Sequence, residues 1–231
     1  AKLLLASQEA TRNSHQLIAY LDTFGVDIMQ ATPATWRLLL GSGWAGQSGL
    51  RILCGGEALE ADLARRLLDC AEEVWNVYGP TETTIWSSAL ALSPEMLTHG
   101  TVPIGEPIDN TQFHLLDSQQ QPVPVGVAGE LYIGGIGVSP GYWQQPALTA
   151  ERFVQVPELT NERLYRTGDC VRYRADGLLD YLGRLDYQTK LRGYRIELGE
   201  IEAAFVSHPV VTQAVVLING ETDADKYLAA Y

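Results

Sequence analysis

The run Val74-Trp75-Asn76-Val77-Tyr78-Gly79-Pro80-Thr81-Glu82-Thr83-Thr84 decides how this chain is read. Its apolar-aromatic head has the composition of a buried strand, and Gly79-Pro80 turns the backbone sharply where that strand ends. The turn offers a ligand an aromatic face at Tyr78, hydroxyls at Thr81, Thr83 and Thr84, and one carboxylate at Glu82. Rings stack on aromatics, hydroxyls bond phosphate oxygens and a carboxylate holds Mg²⁺, so the set suits a nucleotide bound with a metal ion. The plainer alternative is a strand followed by a polar loop.

Working upstream from that run, strands and helices alternate. Ala1 to Ala6 reads as a strand, and Ser14 to Phe24 places Leu17, Tyr20, Leu21 and Phe24 at helical spacing before the stop at Gly25. Val26 to Gln30 is a strand, and Thr32-Pro33 caps a helix over Ala34 to Leu40. Arg51 to Cys54 is the next strand, followed by a helix over Glu57 to Ala71 and the strand Val74 to Val77. Such alternation predicts an α/β parallel sheet with helices over both faces and ligands beyond the carboxyl ends of the strands. Gly55-Gly56-Glu57 and Tyr78-Gly79 both fall at such ends.

Downstream of about Thr101 the rhythm becomes short strands separated by Gly, Pro and Asp-Gly signals. Gln112 to Leu116, Gly129 to Gly134, Val171 to Arg174 and Leu178 to Leu182 are strands, with Asp176-Gly177 a hairpin turn. The expectation is an antiparallel barrel or sandwich interrupted by one helix, Leu148 to Phe153. After Asp186, the cations Lys190, Arg192 and Arg195 crowd a glycine-containing loop, Glu197 to Ser207 is a helix, and Thr212 to Ile218 and Lys226 to Tyr231 are strands.

Composition narrows the function. A net charge of −12 opposes the basic footprint of a nucleic-acid binder. No apolar stretch approaches the roughly 20 residues of a membrane helix, so no membrane partner is expected. Three widely spaced cysteines, Cys54, Cys70 and Cys170, form no disulfide framework, which points to a reducing cytoplasm. The histidines His15, His99, His114 and His208 show no ligand spacing. Against the acidic background, Arg184, Lys190, Arg192 and Arg195 concentrate positive charge, as an anionic ligand requires. Tyr165-Arg166-Thr167-Gly168-Asp169 ends a strand at a glycine with a carboxylate placed to accept from a ribose diol; an Asp-capped turn is the plainer reading.

Four segments in order resemble one family: Asn76 to Thr83; Gly129-Glu130-Leu131-Tyr132-Ile133-Gly134-Gly135 with Gly141-Tyr142; Tyr165 to Asp169; and Gly183-Arg184-Leu185-Asp186 through Lys190 to Glu202. That family is the adenylation domains of nonribosomal peptide synthetases, within the adenylate-forming superfamily of acyl-CoA synthetases and luciferases. Leu148-Thr149-Ala150-Glu151-Arg152-Phe153 and Glu197-Leu198-Gly199-Glu200-Ile201-Glu202 favour the peptide-synthetase branch over CoA ligases.

The resemblance implies ATP-dependent activation of an amino acid or related carboxylic acid with Mg²⁺, then transfer to the phosphopantetheine thiol of a peptidyl carrier domain. Tyr78 resembles the residue that stacks on adenine, with Asn76 at its amino edge and Gly56-Glu57 opposite; Gly79 belongs to the same turn. Thr81 is similar to the α-phosphate ligand, Glu82 to the metal ligand, Asp169 to the ribose ligand and Arg184 to its neighbour. Asp186 resembles the hinge, and Lys190 through Arg195 the thiolation face. The family's pocket-lining positions fall on Ala31, Leu53, Gly55, Val77, Ile85 and Trp86, which implies a bulky apolar side chain. On this reading residues 1–100 are part of an α/β layer, 101–185 a barrel-like part of the same large subdomain, and 186–231 a hinge and the start of a small α+β subdomain. The family's phosphate loop would lie upstream of Ala1 and its lysine beyond Tyr231, so these 231 residues alone would not complete adenylation. An acyl- or aryl-CoA ligase, or a catalytically silent scaffold, are the alternatives.

Overall fold

Short polar residues start the helices of the amino-terminal half. Ser7 accepts from Ala10 N to cap α1 (Gln8–Thr11), Asn13 accepts from Gln16 N at 3.2 Å to cap α2 (Ser14–Phe24), and Gly25 ends α2 in a left-handed conformation. β1 (Ile28–Ala31) follows, then Thr32 caps α3 (Pro33–Gly41), with Pro33 in its first turn. β2 (Arg51–Gly55), α4 (Ala61–Leu68), β3 (Glu73–Tyr78) and β4 (Ser88–Ala91) complete this half. The computed structural model describes residues 2–98, 102–186, 188–191, 194–220 and 226–231.

The chain divides into two units, residues 1–77 with 89–103 and residues 78–88 with 104–231. In the first, β1, β2 and β3 are parallel, with Ala31 opposite Cys54 and Cys54 opposite Asn76, and β4 lies beside β3. Successive side chains point to opposite faces of a sheet, so this register sorts them. Ala31, Ile52, Cys54, Val74 and Asn76 share a buried face, whereas Ile28, Gln30, Arg51 and Glu73 are exposed on the other. The parallel sheet is therefore as expected; its second face is exposed at the strand starts and buried at Gly55 and Val77, the strand ends. Trp36, Leu39, Leu50, Leu59 and Leu67 complete the core of this unit.

Several boundaries differ from the sequence reading: the strand expected at Val171 to Arg174 is the end of Thr160–Tyr173, and the one expected from Thr212 starts at Val216. Residues 2–6 form no strand, and Leu3 and Leu5 are exposed because their apolar run finds no neighbouring strand. Helix α4 starts at Ala61 rather than Glu57, since Leu59 is extended and accepts from Val102 N at 3.1 Å.

In the second unit, β5 (Glu106–Pro107) precedes β6 (Thr111–Leu116), β7 (Ala128–Gly135), α5 (Pro146–Arg152), β8 (Phe153–Val156), β9 (Thr160–Tyr173) and β10 (Leu179–Arg184). Their order is β10-β9-β7-β6, all antiparallel, with β8 also on β9. The antiparallel part expected from the sequence is thus an open sheet, with no closed barrel among the described residues. One of its faces packs Tyr78, Ile104, Leu115, Leu131, Ile133, Val171 and Leu179; the other packs Leu116, Tyr132, Val156 and Leu164. Beyond it, β11 (Gln188–Leu191) pairs with β12 (Tyr194–Glu197), and α6 (Leu198–Val206) leads to the pair β13 (Val216–Asn219) and β14 (Tyr227–Ala230). No described helix is long and apolar enough to cross a membrane.

Candidate functional site

Strand β9 builds the centre of the site. Glu130 on β7 receives both Arg166 Nε, at 2.9 and 3.0 Å, and the Gly168 amide, while Thr167 Oγ1 donates to Leu131 O at 2.7 Å and accepts from Asp169 N. These bonds aim Asp169 at the neighbouring strand. Gly168 has φ +76°, and a Cβ there would stand 2.7 Å from both Arg184 Nη2 and Asp186 Oδ2. Only glycine leaves room for that ion pair.

Asp169 is 6% exposed and held from two sides. Tyr78 donates its hydroxyl to Oδ2, and Arg184 Nη1 donates to Oδ1 at 2.8 Å. Arg184 also reaches Thr167 O, and it grips Asp186 through Nε at 2.6 Å and Nη2 at 2.8 Å. Burial alone would lower the Arg184 pKa, but its bonds to Asp186 and the charges of Asp169 and Asp186 raise it. Burial and the charge of Asp169 raise Tyr78 and Tyr181 as well, so both phenols keep their protons, and Tyr78 acts as a donor. A carboxylate accepts about four hydrogen bonds, so a grip by Tyr78 and Arg184 is compatible with accepting from a diol.

The turn after β3 forms a second centre in the same unit. Thr81–Thr83 is one turn of 3-10 helix in which Thr81 is exposed and Glu82 and Thr83 are buried. Thr83 shares a hydrogen bond with Ser87 at 2.6 Å, and Thr84 donates to Gly137 O at 2.8 Å. Two of the three hydroxyls expected to meet phosphate thus bond to the protein itself, that of Thr83 buried and that of Thr84 at the surface, and Thr81 is exposed. Tyr142 donates to Glu82 Oε1 at 2.6 Å. No group of three or more acidic, histidine or cysteine side chains among the described residues could hold a metal. A single buried carboxylate fits Mg²⁺ that arrives on phosphates, because Mg²⁺ takes one or two carboxylates and completes its shell from phosphate and water.

Other expected residues are redistributed. Tyr78 is 8% exposed, with its ring in the core of the second unit, which limits the face it can offer a base. Asn76 lies on the buried face of the parallel sheet and donates Nδ2 to Pro103 O at 2.7 Å, a tie within the first unit rather than an open amide edge. Gly56 and Glu57 follow β2 in that same unit. Of the pocket positions, Leu53, Gly55 and Val77 share one sheet face, but Ala31 points to the buried face beside Cys54. Gln30, opposite Leu53, occupies the place expected of Ala31. Ile85 and Trp86 belong to the second unit, Ile85 exposed and Trp86 half-buried.

Asp186 is held by Arg184 and, at 3.5 Å, by Arg152 Nη1. Lys190 stands opposite Arg195 in the register of β11 and β12, a hairpin where the sequence suggested a loop. Arg192 and His99 lie outside the described residues. Sequence reasoning passed over Tyr142, Arg152 and Tyr181. Tyr181 was within reach, because the Asp176-Gly177 turn pairs it with Val171, two positions from Asp169 on the same face. Nothing local in the sequence joins Tyr142 to Glu82.

Residues 1–143 match the model of a family described as AMP-binding enzyme. The chain is 50% identical over 232 residues to a dimodular nonribosomal peptide synthase of Bacillus subtilis (strain 168), a match covering 100% of the chain and 10% of that protein. It is 42% identical over 209 residues to tyrocidine synthase 3 of Brevibacillus parabrevis, covering 89% of the chain and 3% of that protein. A crystal structure of a four-domain nonribosomal peptide synthetase bound to AMP and glycine superimposes with a TM-score of 0.75 at 50% identity, over 98% of this chain and 17% of that one. A peptide synthetase containing adenylation and PCP domains, bound to a vinylsulfonamide inhibitor, gives 0.86 at 32% identity over 94% and 38%. The chain thus spans a tenth or less of these two curated relatives.

Proposed function

This chain belongs to the AMP-binding enzyme family, and on that premise we propose that it is the nucleotide-gripping part of a domain that adenylates an amino acid and passes it to a carrier thiol. The observation that carries the reading is the buried carboxylate of Asp169, fixed between Tyr78 and Arg184. In such a fixed geometry it accepts from both ribose hydroxyls of ATP, and pre-set acceptors lose little freedom on binding. Thr81 donates to the α-phosphate. Glu82 would hold Mg²⁺ carried by the nucleotide, and the ion would supply positive charge beside the phosphates. The substrate carboxylate attacks the α-phosphorus, the bond to pyrophosphate breaks, and an acyl-adenylate results. Much of the catalysis in such a displacement is positioning and electrostatics.

The second half-reaction transfers the acyl group to a phosphopantetheine thiol, with Asp186 as the hinge and the cations from Lys190 to Arg195 facing the anionic arm. Synthetases similar to this chain support the reading, one bound to AMP and glycine and one containing a PCP domain. In the first unit, Leu53, Gly55 and Val77, with Gln30 in place of Ala31, line the substrate side-chain pocket. None is charged, and an unpaired charge buried there would cost several kcal/mol, so charged side chains are disfavoured. The experiment is nucleotide affinity in the full-length protein. Asp169→Ala should weaken ATP binding by roughly 2 to 4 kcal/mol, since the ribose hydroxyls lose their acceptor. A variant that melts earlier yet binds ATP normally would make Asp169 a structural residue of β9 and remove the ribose role.

A further inference from the structure

The carboxylate of Glu82 is steered by a segment 60 residues further along the chain. Residues 137–142 lie against the turn on both sides of Glu82. Thr84 Oγ1 donates to Gly137 O at 2.8 Å, and Ser139 N donates to Glu82 O at 2.9 Å. Arg163 fixes the outside of this strap, with Nη2 donating to Ser139 O and Nη1 to Pro140 O at 2.9 Å. At its end, the Tyr142 amide donates to Thr149 Oγ1 at 3.0 Å in α5, and the Tyr142 ring meets Phe153 edge-on with centroids 5.4 Å apart. The ring is therefore fixed by packing and the backbone by a hydrogen bond, and the hydroxyl donates to Glu82 Oε1 at 2.6 Å with the Tyr165 hydroxyl also in hydrogen-bond reach.

A glutamate side chain has three rotatable bonds, and a ligand that needs it in one rotamer loses affinity when that rotamer is not held in advance. We propose that Tyr142 is a positioning residue for Glu82, its hydroxyl holding the carboxylate in the rotamer that meets the metal-bearing phosphates, with the Arg163-braced strap carrying that hydroxyl. The proposal rests on the reading of Glu82 as the metal ligand. Removing a partner that orients a metal ligand typically weakens metal affinity tenfold or more.

The test compares wild type, Tyr142→Phe and Glu82→Gln in the full-length protein. Mn²⁺ affinity is measured by electron paramagnetic resonance with a non-hydrolysable ATP analogue, alongside thermal melting and the Mg²⁺ dependence of pyrophosphate exchange. Tyr142→Phe keeps the packed ring and should weaken Mn²⁺ binding about tenfold, with the exchange rate recovering at saturating Mg²⁺. Glu82→Gln should weaken binding further, without that recovery. Wild-type Mn²⁺ affinity in Tyr142→Phe, with or without a lower melting point, overturns the positioning role if Glu82→Gln is impaired. Wild-type affinity in Glu82→Gln overturns the metal reading itself, and the inference with it. Should Tyr142→Phe not fold, Arg163→Gln loosens the strap without touching Glu82 or Tyr142. It is expected to shift the same affinity by about threefold, the milder effect of a more distant support, and an unchanged affinity there counts against the proposal.

Discussion

Thr84 and Ile85 are neighbours, both β-branched, and both adopt the left-handed region, with φ +65° and +73°. A side chain with a branched Cβ is rarely found there, and each such residue costs on the order of 1 to 2 kcal/mol. They follow the 3-10 turn of Thr81–Thr83 directly, so the strained pair is what turns the chain from it back toward Ser87. Ile85 is 61% exposed and loses little packing on truncation. Ile85→Gly should therefore stabilise the full-length protein by about 1 kcal/mol in denaturant unfolding while lowering its activity, the exchange expected where strain serves a site. Destabilisation by Ile85→Gly would mean that the side chain supports the fold instead. The place of Glu82, just past the end of β3, was legible in the sequence because strand and turn are adjacent there; Asp169, expected just past a strand end, instead lies inside β9, which runs on to Tyr173 because it pairs with β10. The partners Tyr142 and Arg152 were not legible, because a hydrogen bond between distant residues leaves no local spacing to read.

Elements that begin or end with a capping residue were legible almost to the residue. Thr32-Pro33 announced α3 and Gly25 closed α2, since caps satisfy backbone groups locally. Edges fixed by tertiary pairing were not, as with the unpaired run at 2–6 and the extended residues before α4. The faces of the parallel sheet belong to the same class. The alternation was readable, but which of Gln30 and Ala31 faces the core depends on register with β2. The turn after β3 allows a direct test of element geometry. At Gly79 a Cβ would lie 2.4 Å from Ile85 O and 2.7 Å from Ser87 N, and that amide bonds Tyr78 O at 2.8 Å. Gly79→Ala should cost about 3 kcal/mol by forcing the turn open. Gly41, in α3 with nothing within 4 Å of its would-be Cβ, is the control. Gly41→Ala should stabilise by about 0.5 kcal/mol through loss of freedom in the unfolded chain. Equal effects at the two positions would contradict the description of the turn.

At the scale of the molecule, the second unit holds Tyr78, Glu82, Asp169, Arg184 and Asp186, while the first ends its parallel strands in Gly55 and Val77. Under the proposed function, nucleotide chemistry falls to residues of one unit and most of the substrate side-chain pocket to residues of the other, so the two assignments are tested separately. The most direct test is amino-acid-dependent exchange of pyrophosphate into ATP by the full-length protein, run over a panel of amino acids with wild type beside Gly55→Leu. Exchange should be stimulated by a large uncharged amino acid, and Gly55→Leu, proposed to fill the pocket, should lower kcat/KM for it at least about fivefold, since overpacking costs some 1 to 3 kcal/mol. No stimulation by any amino acid, preference for aspartate, glutamate, lysine or arginine, or an unchanged kcat/KM in Gly55→Leu would contradict the account.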